Sequence, residues 1–272
     1  MSSALDRVAS WPAEHRAAGW VRRDGHSAVT GEEDHEFALA SVTKLLSATA
    51  VLVAVEEEVI ALDEPAGPPD STVRLLLAHA SGLPFDGASP IAAPGRRRIY
   101  GNTAFEILGD LVAERSGVAF ADYLEEAVCV PLGMLATFVH GSPAFSGRST
   151  LRDLLRFAHA LLLPGTVMAA ETLAEATTPQ LPELAGVLPG FGRQSPNPWG
   201  LGFELHGDKS PHWMPAEASP RAFGHFGQSG TFLWVDPDAG TACVVLTDAR
   251  FGDWALEAWP PFGSAVLADA AR

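Results

Sequence analysis

The sequence predicts an α/β (α+β) fold in which the two chain ends build one antiparallel sheet and the middle of the chain is helical. Alternating or continuous apolar runs bounded by turn residues lie before residue 41 and after residue 199. Helix-period runs with caps lie between them. No internal repeat interrupts this order. The 272 residues therefore divide into a sheet region, 1–66 plus 198–272, and a mostly helical region, 67–197, with a cleft expected between the two.

Each element has a local reason. Residues 17–22 and 26–30 form a predicted hairpin about Asp24-Gly25, and residues 36–40 add a short strand. Residues 41–62 are expected as a buried helix, apolar on nearly every face until Glu56-Glu57-Glu58. Pro65, Pro68 and Pro69 then break the chain. Residues 72–78 read as a short amphipathic helix. Asn102 or Thr103 is placed to cap a helix to Ser116, which Gly117 stops. Helices are also expected over 119–128, 151–163 and 169–177, whereas 181–197, rich in Pro and Gly, reads as loop. Strands return over 200–205, 222–227, 231–235 and 241–247, and a last helix is expected between Gly263 and Ala271.

Composition excludes several classes of function. Hydrophobic content of 47% with 19% charged residues is that of a globular protein. A formal net charge of −15 argues against a nucleic-acid partner and against an anionic membrane surface. The run Arg96-Arg97-Arg98 is too short to reverse that. The longest apolar run, Leu45 to Val55, falls well below the roughly 20 residues that span a bilayer. The first residues lack the apolar core of a signal peptide, so a cytoplasmic protein is expected. Cys129 and Cys243 are expected as free buried thiols. Nine histidines are present, but no H-E-x-x-H or paired-cysteine spacing, so neither metal nor cofactor is expected. His206, His212 and Trp213 are expected to edge the cleft.

The chain has only two lysines, Lys44 and Lys209. Lys44 stands three residues after Ser41 at the head of the long apolar run. On a helix, positions i and i+3 share a face. Ser41 would then lie in the first turn, where free N–H groups stabilise an alkoxide, and burial would disfavour the charged form of Lys44. A neutral amine there is a base for the serine. The alternative is a helix cap with a lysine reaching solvent. Tyr100-Gly101-Asn102 precedes a predicted helix and reads either as a proton relay with a substrate-binding amide or as a turn with a packed ring. Gly224-His225-Phe226-Gly227-Gln228-Ser229-Gly230 enters an apolar strand, with His225 facing a cleft or satisfied within a bulged edge.

These three elements, in this order, resemble the signature of the serine β-lactamase and penicillin-binding-protein superfamily. They are most similar to the class C β-lactamase branch, in which the second motif is Tyr-x-Asn and the third can be His-x-Gly. Residues 76–84, Pro131-Leu132-Gly133-Met134 and 230–237 resemble that family's connecting segments, and the likeness runs collinearly from about Phe37 to Asp248. The resemblance implies one β-lactamase/transpeptidase-like domain overall. It implies Ser41 as acylated nucleophile, Lys44 as base and Tyr100 as second proton-transfer group. Asn102 would contact Lys44 and the substrate amide, and His225 would replace the third-motif lysine. The backbone N–H groups of Ser41 and of Gln228, just after Gly227, would form the oxyanion site.

Departures shift the implied substrate. Phe226 stands where lactamases and transpeptidases carry a carboxylate-binding hydroxyl. Gly101 replaces a commoner serine, a change expected to matter little. Arg98, if extended with Tyr100 on one side of a strand, would supply the missing carboxylate contact; otherwise it belongs to a solvated arginine run. His79 is expected to hydrogen-bond a loop. The implied activity is hydrolysis of a small ester, amide or peptide bond, without cofactor. Alternatives are a genuine β-lactamase or D-Ala-D-Ala carboxypeptidase, or a non-catalytic sensor that binds β-lactams or peptides.

Overall fold

The strands of the central sheet can be recognised by what they bury on each side. The computed structural model describes residues 3–272. A short 3-10 helix, Ala4–Ser10, precedes β1 (Arg16–Arg22), β2 (Ser27–Gly31) and β3 (Phe37–Ala38). A 3-10 turn over Ala40–Val42 leads into α1 (Thr43–Glu56). Next come α2 (Val73–Leu77), α3 (Thr103–Ser116) and α4 (Phe120–Leu124). The last of these runs through a π turn, Glu125–Cys129, into α5 (Val130–Leu132).

Two short strands, β4 (Phe138–Val139) and β5 (Gly147–Ser149), pair with β3. Helices α6 (Leu151–Leu162) and α7 (Ala170–Ala176) follow, then a hairpin of β6 (Gly186–Leu188) and β7 (Gly192–Gln194). The chain closes with β8 (Glu204–Leu205), β9 (Phe223–Gly227), β10 (Thr231–Asp236), β11 (Thr241–Thr247) and α8 (Asp253–Ala270).

The main sheet is antiparallel with order β2-β1-β11-β10-β9-β8. Side chains alternate between its faces. Ala17, Val21, Leu233, Val235, Val244 and Leu246 face the core shared with α1, α3 and α6. Trp20, Phe232, Trp234, Cys243 and Val245 face a second core under α8 and the N-terminal 3-10 helix. With both faces covered, the central strands read as continuous apolar runs.

Five expectations need correction. The first long helix ends at Glu56, and Glu58 turns out of it with φ 60°. Its predicted tail (57–62) is held instead by turn hydrogen bonds to Val53, Ala54 and Val55. The stretch read as loop contains the β6–β7 hairpin, and only Glu204–Leu205 of the expected strand 200–205 is extended in the sheet. The final helix starts ten residues earlier than expected and contains Pro260 and Pro261. Trp259 and Phe262, buried in the second core, anchor it across the prolines, so packing outweighs the local cost of proline. Finally, Asn102 stands at the N-cap of α3 but its side chain caps nothing. It is committed elsewhere.

Candidate active site

Ser41 sits in the tight turn just before α1, and the residue preceding it is strained. Ala40 has φ 46°, a left-handed conformation that L-residues rarely adopt. Neighbouring strands hold the turn in place. Leu39 N donates to Gly147 O at 2.9 Å, Thr231 Oγ1 donates to Leu39 O at 2.9 Å, and Ser229 Oγ donates to Ala38 O at 2.7 Å. A Cβ on Gly227 would lie 2.3 Å from Leu39 O, so only glycine lets the end of β9 approach so closely. That approach brings Gln228 onto the same cavity wall as Ser41.

Lys44 is fully buried. Its Nζ lies 2.8 Å from Asn102 Oδ1, 3.0 Å from Ala144 O and 3.3 Å from Ser41 Oγ. None of these partners is charged. Burial pulls its pKa down from 10.5 to about 7, against the weaker opposing fields of Glu106 and Asp86. The two carbonyl oxygens can only accept, so they take two N–H bonds of the amine. In the neutral amine the remaining lone pair is left pointing at Ser41 Oγ.

Tyr100 OH donates to Ser41 Oγ at 2.6 Å. Burial raises its pKa above the ordinary phenol value, so near neutral pH it is a proton donor. Asn102 is oriented from both ends: its Oδ1 faces Lys44 and its Nδ2 donates to Asp86 Oδ1 at 3.2 Å. His225 Nδ1 lies 2.7 Å from Phe226 O, which can only accept, so Nδ1 carries the proton. Burial lowers the pKa of this histidine to about 3, with the charge of Lys44 adding to the effect. Its Nε2, buried and without a hydrogen-bond partner, is therefore a lone-pair acceptor. Ser41, Tyr100, His225 and Gln228 line one cavity of about 320 Å³, walled by the rings of Phe85, Trp199 and Phe226.

A family model described as Beta-lactamase matches residues 6–262. The chain belongs to the β-lactamase family of serine hydrolases. It is 52% identical to a β-lactamase from Mycobacterium bovis of known crystal structure, covering 99% of this chain and 100% of that one, with a TM-score of 0.97. The fold is shared with simvastatin synthase from Aspergillus terreus at 18% identity and TM-score 0.81, over 97% of this chain and 96% of that one. Among curated proteins it is 28% identical to the D-alanyl-D-alanine-carboxypeptidase/endopeptidase AmpH of Escherichia coli (strain K12), over 39% of this chain and 37% of that protein. It is 25% identical to Penicillin-binding protein 4* of Bacillus subtilis (strain 168), over 38% of this chain and 30% of that protein. The match thus spans only about a third of the length of these curated relatives.

Within this β-lactamase-family site, several residues play parts that sequence alone did not show. Arg98 neither faces the cavity as a carboxylate contact nor lies in solvent. It is 2% exposed, and its guanidinium donates to the carbonyls of Ala78, Asn197, Gln180 and Leu181. It therefore ties the segment carrying β6 and β7 to the end of α2. His79 meets a loop only through its backbone, whose carbonyl accepts from Ile99 N at 2.9 Å; both its ring nitrogens are buried and unpartnered between the rings of Tyr100, Phe105 and Trp199.

His212 and Trp213 do not edge the cleft. They are buried and hold Glu204, at 2.8 and 2.6 Å, and it is Glu204 that reaches the cavity wall. His206 lies 4.8 Å ring to ring from His212, in a separate depression. Gly101 matters more than expected: a Cβ there would lie 2.5 Å from Pro84 O, so the loop bearing Phe85 packs where a side chain would be. Ala144 O and Asp86 had no signal, since one is a backbone atom and the other an ordinary exposed acid. On the surface, His15, Glu32 and His35 bring possible ligand atoms within 4.8 Å of one another, a grouping assembled across the β1–β2 hairpin that sequence spacing did not show. No helix among the described residues is long and apolar enough to cross a membrane.

Proposed function

We propose that this protein hydrolyses a small ester, amide or peptide bond through an acyl-Ser41 intermediate. The observation that carries this reading is the pair of contacts on Ser41 Oγ, from a buried lysine with a pKa near 7 and from a protonated tyrosine. In the first step neutral Lys44 accepts the Ser41 proton as Oγ attacks the carbonyl. Tyr100 then passes a proton to the leaving group and is recharged from Lys44. Asn102 fixes the amine, and with His225 Nε2 it offers polar contacts to the substrate. The N–H groups of Ser41 and Gln228 would hold the oxyanion, with Gly227 permitting their approach. Deacylation repeats these transfers with water as the nucleophile.

The same features weigh on the substrate. Phe226 packs into the second core against Phe251 and Trp213, and it brings no hydroxyl. His225 is neutral where a cationic third-motif lysine would attract a carboxylate. Both observations favour an ester or amide with an apolar group in the aromatic cavity over a penicillin or a D-Ala-D-Ala end. The 52% identity to a mycobacterial β-lactamase favours β-lactam hydrolysis as a second reading. Two buried unpaired thiols, Cys129 and Cys243, accord with a reducing, cytoplasmic setting.

The test is intact-protein mass spectrometry of wild type and Ser41→Ala after brief exposure to a nitrophenyl ester panel and a chromogenic cephalosporin, with product release followed in parallel. A transient adduct on wild type alone, with continuing turnover, is the expected result. A lasting adduct without turnover would favour the sensor alternative, and no adduct at all would sink the proposal.

A further inference from the structure

The cavity above Ser41 does not end at Tyr100. A second compartment of about 400 Å³ shares Phe85, Tyr100 and Pro189 with it as a common wall. Five arginines line the joined space: Arg96, Arg97, Arg98 and Arg193 in the outer compartment, and Arg250 beside Ser41. The guanidinium of buried Arg98 is spent on backbone carbonyls, and the other four are exposed. Among the described residues, every other arginine side chain has a hydrogen-bond or ion-pair partner, and these four have none.

In a chain of net charge −15, with 33 acidic residues against 18 basic ones, unpaired guanidiniums gathered along one cleft are not what the average surface would supply. The only carboxylate on the joined wall, Glu204, is already held by Lys209, His212 and Trp213. Asp86, next to Phe85, is engaged with Asn102. Between the arginines lie Phe85, Ile91 and Val187, which are 51%, 64% and 62% exposed and form an apolar track leading away from Ser41.

We propose that the outer compartment is a substrate subsite, which binds the anionic end of an extended, part-apolar ester or amide whose scissile bond lies at Ser41. The anion is a carboxylate or a phosphate, since the planar guanidinium fork pairs with either. An apolar chain would run over Phe85, Ile91 and Val187 and place the charge among Arg96, Arg97 and Arg193. Long-range attraction would also steer such a substrate into the cleft of an otherwise acidic protein. This rests on the proposed hydrolysis at Ser41 for the position of the reacting bond, but the anion site itself does not.

The experiment separates the two. Ser41→Ala protein is titrated by calorimetry with monomethyl suberate, with a methyl ester of matched length ending in phosphate, and with neutral dimethyl suberate. The expected result is that at least one anionic ligand binds roughly tenfold or more tightly than the diester at low salt, and that the advantage shrinks at high salt. Comparing the two anions shows which group the site takes. A second protein carrying Arg96→Ala, Arg97→Ala and Arg193→Ala, whose side chains make no hydrogen bond or ion pair among the described residues, should lose the advantage and keep the diester affinity. Equal binding of charged and neutral ligands, or an advantage that survives the triple change, would overturn the subsite. Wild type is assayed on the same esters: turnover without anion preference would overturn only this inference, while anion preference without turnover would overturn only the hydrolase reading.

Discussion

Both lysines of this chain are buried, Lys44 at 0% exposure and Lys209 at 4%, and they differ in what surrounds them. Lys209 Nζ lies 2.5 Å from Glu204 Oε1, and the same carboxylate accepts from Trp213 and contacts His212. Burial alone would raise the Glu204 pKa, but the charges of Lys209 and His212 outweigh it and hold the carboxyl well below its usual range. Lys44 has only uncharged partners, and the more distant Glu106 and Asp86 offset only part of its desolvation. One lysine is a closed charge pair that supports the wall of the cleft. The other is an amine kept near its neutral form beside a serine. Burial pulls the pKa of both lysines down, and what separates them is the carboxylate in contact, which ties Lys209 into a pair and leaves Lys44 to face the serine.

The largest expected effect separates these roles. Lys44→Met should lower kcat/KM by about 10²–10⁴-fold while the protein still folds, measured as ester turnover alongside thermal melting. Lys209→Met should do the reverse. Leaving the buried Glu204 without its lysine should cost about 3–5 kcal/mol in urea denaturation, with turnover per folded molecule little changed. If Lys209→Met instead abolished turnover in folded protein, the division of labour would be wrong. Tyr100→Phe comes next, with an expected loss in kcat of about 10²-fold. Gly101→Ser should act least, displacing Phe85 from the cavity wall and raising KM a few-fold, roughly the effect of losing one apolar contact. Arg98→Ala, in turn, should raise KM equally for acidic and neutral esters, because the guanidinium holds backbone carbonyls and not substrate.

Much of this was legible because the decisive residues are local in sequence. Spacing alone placed Ser41 and Lys44 on one face, and Tyr100 and Asn102 stood together in one short motif. The strands of the sheet announced themselves through apolar runs bounded by turns. What stayed hidden was non-local. Glu204 carried no signal before His212, Trp213 and Lys209 closed around it, and the run Arg96-Arg97-Arg98 gave no hint that its last member turns inward to four carbonyls. Pro260-Pro261 argued locally against the helix that Trp259 and Phe262 enforce. The neutral state of His225 comes from burial and its tautomer from a backbone carbonyl, neither of which a side-chain pattern records.

The most direct test of the account is the pH dependence of the single-turnover acylation rate on a nitrophenyl ester. Lys44 must be neutral to accept the proton, so the rate should rise through one ionisation near pH 7 and decline only where Tyr100 ionises, above the ordinary tyrosine range. The rise should vanish in Lys44→Met. A rate that is flat from pH 5 to 9, or the same rise persisting in Lys44→Met, would contradict the claim that this buried amine is the base for Ser41.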